Sequence, residues 1–332
     1  MKGRAHRMLV IRSAGIGDVA MSVHAVRALR ETYPDLGIVV ATRAKMFPLF
    51  NGIDNLDFIN VGSVRDLVAE AVYRDVDMVA DLRNEIRGKL VRWFLRLCGR
   101  KVAHYKAGRI SRFPLLRRWN RNLHPLRNNL LRFCDVFAEL GYPVSLPENP
   151  VVRARPVPEV FGEKTGAWAG VAPFTSGSVK DYPLDQCSRL VELMCGKYDK
   201  VFVFSGPGAE LEYAESLCSE FPGKVVRVFG KTDLAGEAAL MSNLDAVVVM
   251  DSSAMHIASS VTDRYVALWG GTHPFLGYSP LWADYEKNFL QTDIACRPCS
   301  VYGEGRCLRG DHLCMKMLTP ELVMKKIDDS FP

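Results

Sequence analysis

Short apolar runs alternate with longer amphipathic segments through the first half of the chain. The runs have the length of buried strands, and the longer segments repeat apolar residues at the spacing of helices. We predict strands at residues 8–12, 37–42, 57–61, 78–81 and 101–105, and helices at 18–33, 64–73, 85–98 and 120–140. Alternation of this kind is typical of a parallel sheet covered by helices on both faces.

A proline-rich segment, residues 141–158, interrupts this pattern, and a second alternating series follows it. We predict strands at 167–173, 200–205, 225–229, 246–250 and 265–269, and helices at 184–197, 209–220, 234–242, 252–261 and 319–327. The pattern predicts an N-terminal domain at 1–150, a C-terminal domain at 151–318 and a final helix at 319–332. We expect this helix to pack back toward the first domain. Two doubly wound halves leave a crevice, and open α/β sheets bind ligands at the carboxyl ends of their strands.

Composition and charge narrow the class of protein. The 332 residues are 48% hydrophobic and 24% charged, as in soluble globular proteins with two domains. No stretch approaches the roughly 20 apolar residues of a membrane-spanning helix, so we expect a cytoplasmic protein. Residues 83–132 contain fifteen Lys or Arg and one acidic residue, so we expect an anionic partner such as phosphates, acidic sugars or a membrane surface.

A glycine turn and a carboxylate follow the first strand. Gly15 and Gly17 suit a tight strand-to-helix connection, and Asp18 comes at the start of the following helix. The helix dipole and the free backbone donors there favour an ionised carboxylate, as a general base requires. The alternative is that Asp18 only caps its helix, and the spacing alone favours the cap. A dinucleotide-binding fingerprint fits less well because its third glycine is absent.

The predicted strand at 246–250 leads into the sequence DSSAMH of residues 251–256. Asp251 or Ser252 can cap the helix that follows, and the free backbone donors of that helix suit a diphosphate. His256 falls near the same helix start, although a buried histidine with satisfied nitrogens is the alternative interpretation. Two loops, residues 174–180 and 205–210, end at the same predicted edge of the sheet and add hydroxyls, a lysine and carboxylates.

Three ordered blocks of the sequence resemble glycosyltransferase family 9, the lipopolysaccharide heptosyltransferases. The first block is LVIRSAGIGD at residues 9–18, followed by residues 25–30 and 33–34. The second block is DSSAMHIA at 251–258 with residues 266–270 and 272–274, and the third is the cysteine-rich stretch before residues 318–321. The resemblance covers nearly the whole chain. It implies an α/β fold of the GT-B type, in which two doubly wound Rossmann-like domains face each other across a cleft.

The resemblance also implies an activity and the residues that carry it. The implied reaction is the inverting transfer of a heptose from ADP-heptose to a lipopolysaccharide core or lipid A-linked acceptor, with Asp18 as general base and no required cofactor. Donor binding is implied for Thr175, Ser176, Lys180, Asp251, Ser252, Ser253 and His256, and either Glu210 or Glu212 is implied as a carboxylate near the nucleoside. Ser253 departs from the family, whose members commonly carry glycine there. We expect acceptor binding by the first domain, at Gly15, Gly17, Arg83, Arg87 and Arg92.

The segment RWFLRL at residues 92–97 has two interpretations. Trp93, Phe94 and Leu97 can rest on a membrane with the arginines at the headgroups. Alternatively, these apolar residues belong to the core and the arginines form a solvated face. The first interpretation gives a candidate peripheral contact with the inner face of the bacterial inner membrane.

Four cysteines near the C-terminus have the spacing of zinc ligands: Cys296, Cys299, Cys307 and Cys314. They form a candidate structural zinc site with no part in the chemistry. The alternative is a set of reduced cysteines that pack an irregular loop.

Two rival functions stay open at this point. One is a GT-B glycosyltransferase that uses another nucleotide sugar for surface polysaccharide assembly, since contacts to individual hydroxyls decide which sugar is bound. The other is a catalytically silent member that only binds nucleotide or saccharide. Nucleic-acid binding is the interpretation least favoured, because no recognised binding module accompanies the arginines.

Overall fold

A computed structural model describes residues 6–13, 15–83, 86–117, 122–149, 154–177 and 179–332, with the backbone alone at positions 64, 86 and 87. The first elements are β1 (Arg7–Ile11), α1 (Ile16–Thr32), β2 (Gly37–Thr42), β3 (Leu56–Asn60), α2 (Val64–Tyr73), β4 (Met78–Asp81), α3 (Ile86–Leu97), β5 (Lys101–His104), α4 (Phe113–Leu116) and α5 (Asn129–Glu139). They are followed by β6 (Trp168–Ala172), α6 (Leu184–Lys197), β7 (Lys200–Val203), α7 (Ala209–Glu220), β8 (Val225–Arg227), α8 (Leu234–Met241), β9 (Ala246–Met250), α9 (Ser253–Ser259), β10 (Tyr265–Trp269), α10 (Tyr285–Asn288), β11 (Phe289–Gln291), α11 (Leu313–Lys316) and α12 (Pro320–Ser330).

The contacts of the chain divide it into two compact units. The first contains Met1–Gly108 and Arg127–Glu148, and the second contains Arg109–Leu126 and Asn149–Pro332. Each unit has one parallel sheet with α-helical connections, so each is a doubly wound α/β unit of the Rossmann type.

The sheet of the first unit has the strand order β3-β2-β1-β4-β5. Strand β1 lies in the middle because its apolar residues are buried on both faces of the sheet. In the register of β1 with β4, Ile11 lies opposite Asp81. The carboxyl ends of these two strands are therefore neighbours, and the residues that follow them meet at one edge of the sheet.

The sheet of the second unit has the strand order β11-β10-β9-β6-β7-β8. Strand β9 is fully buried between β10 and β6, and all three run parallel. The chain turns from one side of the sheet to the other between β6 and β9, which is the switch point where ligands bind in doubly wound sheets. The loops after β6, β9 and β10 consequently emerge side by side.

The predicted helix at 120–140 is shorter than expected. Helix α5 starts after Asn128, whose side chain accepts a hydrogen bond from Leu130 N at 2.9 Å. An asparagine in this capping position ends the helix on its N-terminal side, and residues 122–128 have no regular structure. Positions 118–121 lie outside the described residues.

The segment Arg109–Leu126 clusters with the second unit, whereas we expected the first domain to take in all of 1–150. Leu126 N donates to Phe275 O at 2.9 Å. The Arg112 guanidinium lies 5.0 Å from the centre of the Tyr278 ring and donates to Tyr302 Oη at 3.1 Å. A buried cation held by two aromatic rings fixes this segment to its unit.

The C-terminal helix packs on elements of the second unit. Helix α12 contacts α6 and β10 of the second unit, and its residues Val323 and Ile327 are fully buried in that core. Strand β11, which pairs with β10, lies in a stretch where we predicted no element.

Helix α3 contradicts the interpretation of Trp93, Phe94 and Leu97 as core residues, because all three are exposed. Val91 and Leu95 provide the buried side of the helix instead. Among the described residues, no helix is both long enough and apolar enough to span a bilayer.

Candidate active site

Asp18 is the third residue of α1, and it does not cap that helix. The capping position belongs to Gly15, which has no side chain with which to cap the helix. The Asp18 carboxylate instead forms an ion pair with the guanidinium of Arg12, with 2.6 Å between Oδ1 and Nη2. About one third of the Asp18 side chain is exposed, so a substrate hydroxyl can reach the carboxylate.

Arg12, the residue directly after β1, is a partner that the sequence did not single out. Its side chain is buried, donates to the carbonyl oxygen of Leu82, and lies 5.1 Å from the centre of the Phe133 ring. These contacts hold the guanidinium in place, so it can orient the Asp18 carboxylate. Because β1 and β4 are paired, the Leu82 carbonyl is within reach of Arg12.

The glycines before Asp18 do not act through special backbone angles. Gly15 is extended, with φ −60° and ψ 160°, and Gly17 is the second residue of α1. A Cβ atom on Gly15 would meet no atom of the described residues within 4 Å. The turn therefore does not require glycine at position 15 for its conformation, contrary to our expectation, although the open space leaves room for a ligand there.

Arg83 and Arg92 converge on one buried carboxylate at the end of β4. Asp81 accepts from Arg83 N at 3.1 Å and Arg83 Nε at 2.9 Å through Oδ1, and from Arg92 Nη1 at 2.8 Å through Oδ2. Gly88 of α3 makes room for this cluster, since a Cβ atom there would lie 3.0 Å from Asp81 Oδ2. The Arg83 Nη2 atom is buried and has no hydrogen-bond partner among the described residues. The Arg87 side chain lies outside the described residues.

Lys180 and Asp251 form the centre of the predicted donor site. Both are buried, and Lys180 Nζ lies 3.7 Å from Asp251 Oδ2. The same carboxylate oxygen accepts from Thr272 Oγ1 at 2.7 Å. The loops after β6, β9 and β10 thus each contribute one side chain to this cluster, because the three strands are neighbours in the sheet.

Asp251 and Ser252 do not cap α9 with their side chains, contrary to our expectation. Ser252 occupies the capping position without a side-chain hydrogen bond, and its buried Oγ has no partner among the described residues. The Asp251 carboxylate is already used by Lys180 and Thr272. Ser253 begins α9, and His256 is buried within it.

The other predicted donor residues shape their loops to different extents. Thr175 Oγ1 donates to Asp181 Oδ1 at 2.7 Å and accepts from Gly177 N at 3.0 Å, whereas Ser176 is exposed. Glu210 Oε2 accepts from Gly206 N at 2.6 Å, so this carboxylate folds over the loop after β7. Glu212 is exposed. The geometry therefore favours Glu210 over Glu212 as the carboxylate that faces the strand ends.

The cysteine-rich loop packs against the predicted donor site through Arg297 and Gly303. Arg297 is buried and donates to the carbonyl oxygens of Gly270, Thr292 and Thr272, the last at 3.0 Å. A Cβ atom on Gly303 would lie 2.5 Å from the Lys180 side chain, so only glycine lets the loop pack this closely on the methylene groups of Lys180. Sequence reasoning missed both residues because it weighed this stretch for metal binding.

The four cysteines do not form the candidate zinc site. Across the residues that the structure describes, no three His, Cys, Asp or Glu side chains are grouped to hold a metal ion. Burial lowers the pKa of Arg297, an effect that Cys314, Cys299 and Cys296 oppose only in their thiolate forms. Burial raises the pKa of Cys314 to about 11, so this thiol stays protonated at neutral pH.

Two parallel-sheet Rossmann-like units, each with charged side chains at the carboxyl ends of its strands, are the architecture of GT-B glycosyltransferases. The sequence model of "Glycosyltransferase family 9 (heptosyltransferase)" matches residues 73–305, and the chain belongs to that family of enzymes. The chain is 26% identical to lipooligosaccharide heptosyltransferase 2 of Haemophilus influenzae, over 97% of this chain and 98% of that protein.

Two further proteins are similar over most of their length. Lipopolysaccharide heptosyltransferase 1 of Pseudomonas aeruginosa is 25% identical over 76% of this chain and 73% of its own. The solved structure of ADP-heptose lipopolysaccharide heptosyltransferase II of Escherichia coli has the same fold, with a TM-score of 0.71, 20% identity and 98% coverage of both chains. The predicted family and fold class are confirmed.

Proposed function

We propose that this enzyme transfers a heptose from ADP-heptose to an anionic, lipid-linked saccharide of the lipopolysaccharide core, with inversion at the anomeric carbon. The observation that carries the proposal is Asp18, a partly exposed carboxylate oriented by a buried cation at the end of β1. The names of the relatives supply the sugar and the acceptor class.

Asp18 would act as the general base. Its carboxylate takes the proton of an acceptor hydroxyl while that oxygen attacks the anomeric carbon of the heptose. The new glycosidic C–O bond forms as the bond from that carbon to the diphosphate breaks, and ADP leaves from the opposite face. Arg12 keeps the carboxylate in one orientation through the proton transfer.

Lys180 would stabilise the negative charge that develops on the departing diphosphate. Its ammonium group is buried beside Asp251, and the field of a cation is strong where water is excluded. The hydroxyls of Thr175, Ser176, Ser252 and Ser253 would line the phosphates, with Glu210 near the nucleoside and His256 behind the loop. In this proposal Lys180 serves in place of a metal ion.

Arg83 and Arg92 would bind an anionic group of the acceptor. They share the single carboxylate of Asp81, so the buried cluster carries a net positive charge. Arg83 Nη2 also has a donor that no described residue uses, and a carboxylate or phosphate oxygen would satisfy it. This pair supports an acidic sugar or a lipid phosphate as the acceptor group, on the cytoplasmic side of the membrane.

A panel of nucleotide sugars tests the proposed donor. ADP-heptose should raise the melting temperature more than ADP does, and a heptosylated core saccharide should form with inverted anomeric configuration by NMR. Larger stabilisation and turnover with a UDP or GDP sugar would overturn the donor assignment. Binding without turnover of any donor would identify a catalytically silent member.

A further inference from the structure

Helix α3 presents apolar side chains on two faces. Val91 and Leu95 are buried in the core of the first unit. Four large apolar residues on another face are exposed, to 56% at Leu90, 56% at Trp93, 44% at Phe94 and 67% at Leu97. Their spacing of three, one and three residues places them on one side of the helix, and we call this set the α3 stripe.

The α3 stripe is a continuous surface. The rings of Trp93 and Phe94 contact each other edge to face, with their centres 4.9 Å apart. Leu90 and Leu97 extend this surface by about one turn of the helix on either side. Large apolar side chains grouped in this way on the outside of a protein mark a surface that is covered by a partner or by a membrane.

Positive charge borders the stripe. Residues 86–101 contain six Lys or Arg and no acidic residue. Lys89 lies four residues before Trp93, and Arg96 lies three residues after it, so both stand beside the stripe on the helix surface. Both are exposed. Arg92 is different, because it turns inward to Asp81.

We propose that the α3 stripe lies in the headgroup region of an anionic lipid membrane, with Lys89 and Arg96 on the lipid phosphates. The proposal rests on the proposed function only in that a lipid-linked acceptor brings the enzyme to a membrane. Aromatic and leucine side chains beside Lys and Arg are the composition of helices that lie in the plane of a membrane interface. A second copy of this chain fits less well, because pairing two stripes would bring two sets of like charges together.

Vesicle co-sedimentation tests the proposal with the full-length protein. The vesicles are phosphatidylcholine alone and phosphatidylcholine mixed with phosphatidylglycerol, each at low and high salt. One variant combines Leu90→Gln, Trp93→Gln, Phe94→Gln and Leu97→Gln, which keeps good helix formers at exposed positions. A second combines Lys89→Gln with Arg96→Gln.

The control variant combines Ile110→Gln and Phe113→Gln. These two residues are exposed to 83% and 63% in the other unit, so the variant removes apolar surface outside α3. Circular dichroism checks that every variant keeps its helix content. Transfer to a soluble acceptor that lacks the lipid is measured in parallel, because it reports on the proposed function without a membrane.

We expect the wild type to bind the anionic vesicles more tightly than phosphatidylcholine, with binding weakened by salt. Loss of the stripe should reduce binding at least tenfold. The variant that lacks both Lys89 and Arg96 should bind anionic vesicles about 25-fold more weakly, at about fivefold for each cation, and should bind phosphatidylcholine like the wild type. Transfer to the soluble acceptor should not change. Equal binding by wild type and stripe variant, or loss of binding in the Ile110/Phe113 control alone, would overturn the assignment to α3. A dimer that the stripe variant abolishes would assign this surface to a second copy instead.

Discussion

Replacing Thr272 with valine removes one buried hydroxyl from the proposed donor site and keeps the shape of the side chain. Thr272 Oγ1 donates to Asp251 Oδ2 at 2.7 Å, and both residues are buried. Asp251 Oδ2 also lies 3.7 Å from Lys180 Nζ, which is too far for a direct hydrogen bond. In the Thr272→Val variant, the Asp251 carboxylate keeps its ion pair with Lys180 and loses its hydroxyl donor.

Two effects of this substitution can be estimated. A hydrogen bond to a charged group contributes about 1.5–3 kcal/mol, so the free energy of unfolding should fall by about 2 kcal/mol. Without the hydroxyl donor, the Asp251 carboxylate should interact more strongly with the Lys180 ammonium group. Lys180 would then interact less with the phosphates of the donor. A loss of about 1 kcal/mol in that interaction weakens ADP binding roughly fivefold.

Urea unfolding and calorimetric titration with ADP measure the two effects separately. The matched control is Thr262→Val, because Thr262 is also buried and its Oγ1 accepts from Arg264 N at 3.1 Å beyond the C-terminal end of α9. The control should lose stability but bind ADP like the wild type. A Thr272→Val protein with unchanged stability and unchanged ADP affinity would refute the role given to this hydrogen bond.

Three further outcomes follow from buried or hydrogen-bonded groups in the second unit. Arg297→Lys should lower the free energy of unfolding in urea by about 2–4 kcal/mol, because one ammonium group cannot donate to all the acceptors that the guanidinium reaches. The control Arg309→Lys changes an exposed ion pair in the same loop and should unfold like the wild type. Burial acts to raise the pKa of Cys307, but hydrogen bonds from backbone N–H groups, that of His312 first, lower it overall. Because the thiolate is the reactive form and the pKa of Cys314 is raised, limited alkylation followed by mass spectrometry should find Cys307 labelled before Cys314. Burial raises the pKa of Glu237 from 4.5 to about 7, so the folded state binds this proton more tightly than the unfolded state does. The free energy of unfolding should therefore fall by about 2–4 kcal/mol as the pH rises from 4.5 to 7. Glu237→Gln should reduce this dependence of stability on pH.

Hydrophobic spacing predicted the architecture well, because buried strands and amphipathic helices leave a strong periodic signal. The predicted strand at 246–250 coincides with β9, and the predicted helix at 184–197 coincides with α6. The failure at 120–140 has a local cause that spacing does not report. The side chain of Asn128 sets where α5 begins, and the segment before it packs on the second unit through Arg112.

The site was predictable as a set of loops but not as a set of contacts. Asp18, Lys180 and Asp251 stood out because each follows the end of a predicted strand. Their partners Arg12 and Thr272 did not, since pairing through space depends on which strands are neighbours in the sheet. A signal for both was present, because each residue lies within three positions of a predicted strand end.

Asp18→Asn tests the central claim most directly, with Asp66→Asn as the matched control. Asp66 is the third residue of α2, as Asp18 is of α1, and it belongs to the capping box of its helix. If Asp18 is the general base, Asp18→Asn should keep ADP affinity and lose about two to four powers of ten in kcat with ADP-heptose, whereas Asp66→Asn should keep its turnover. A near-normal kcat in Asp18→Asn would contradict the claim. The Asp18 carboxylate would then have only a structural role at the start of α1.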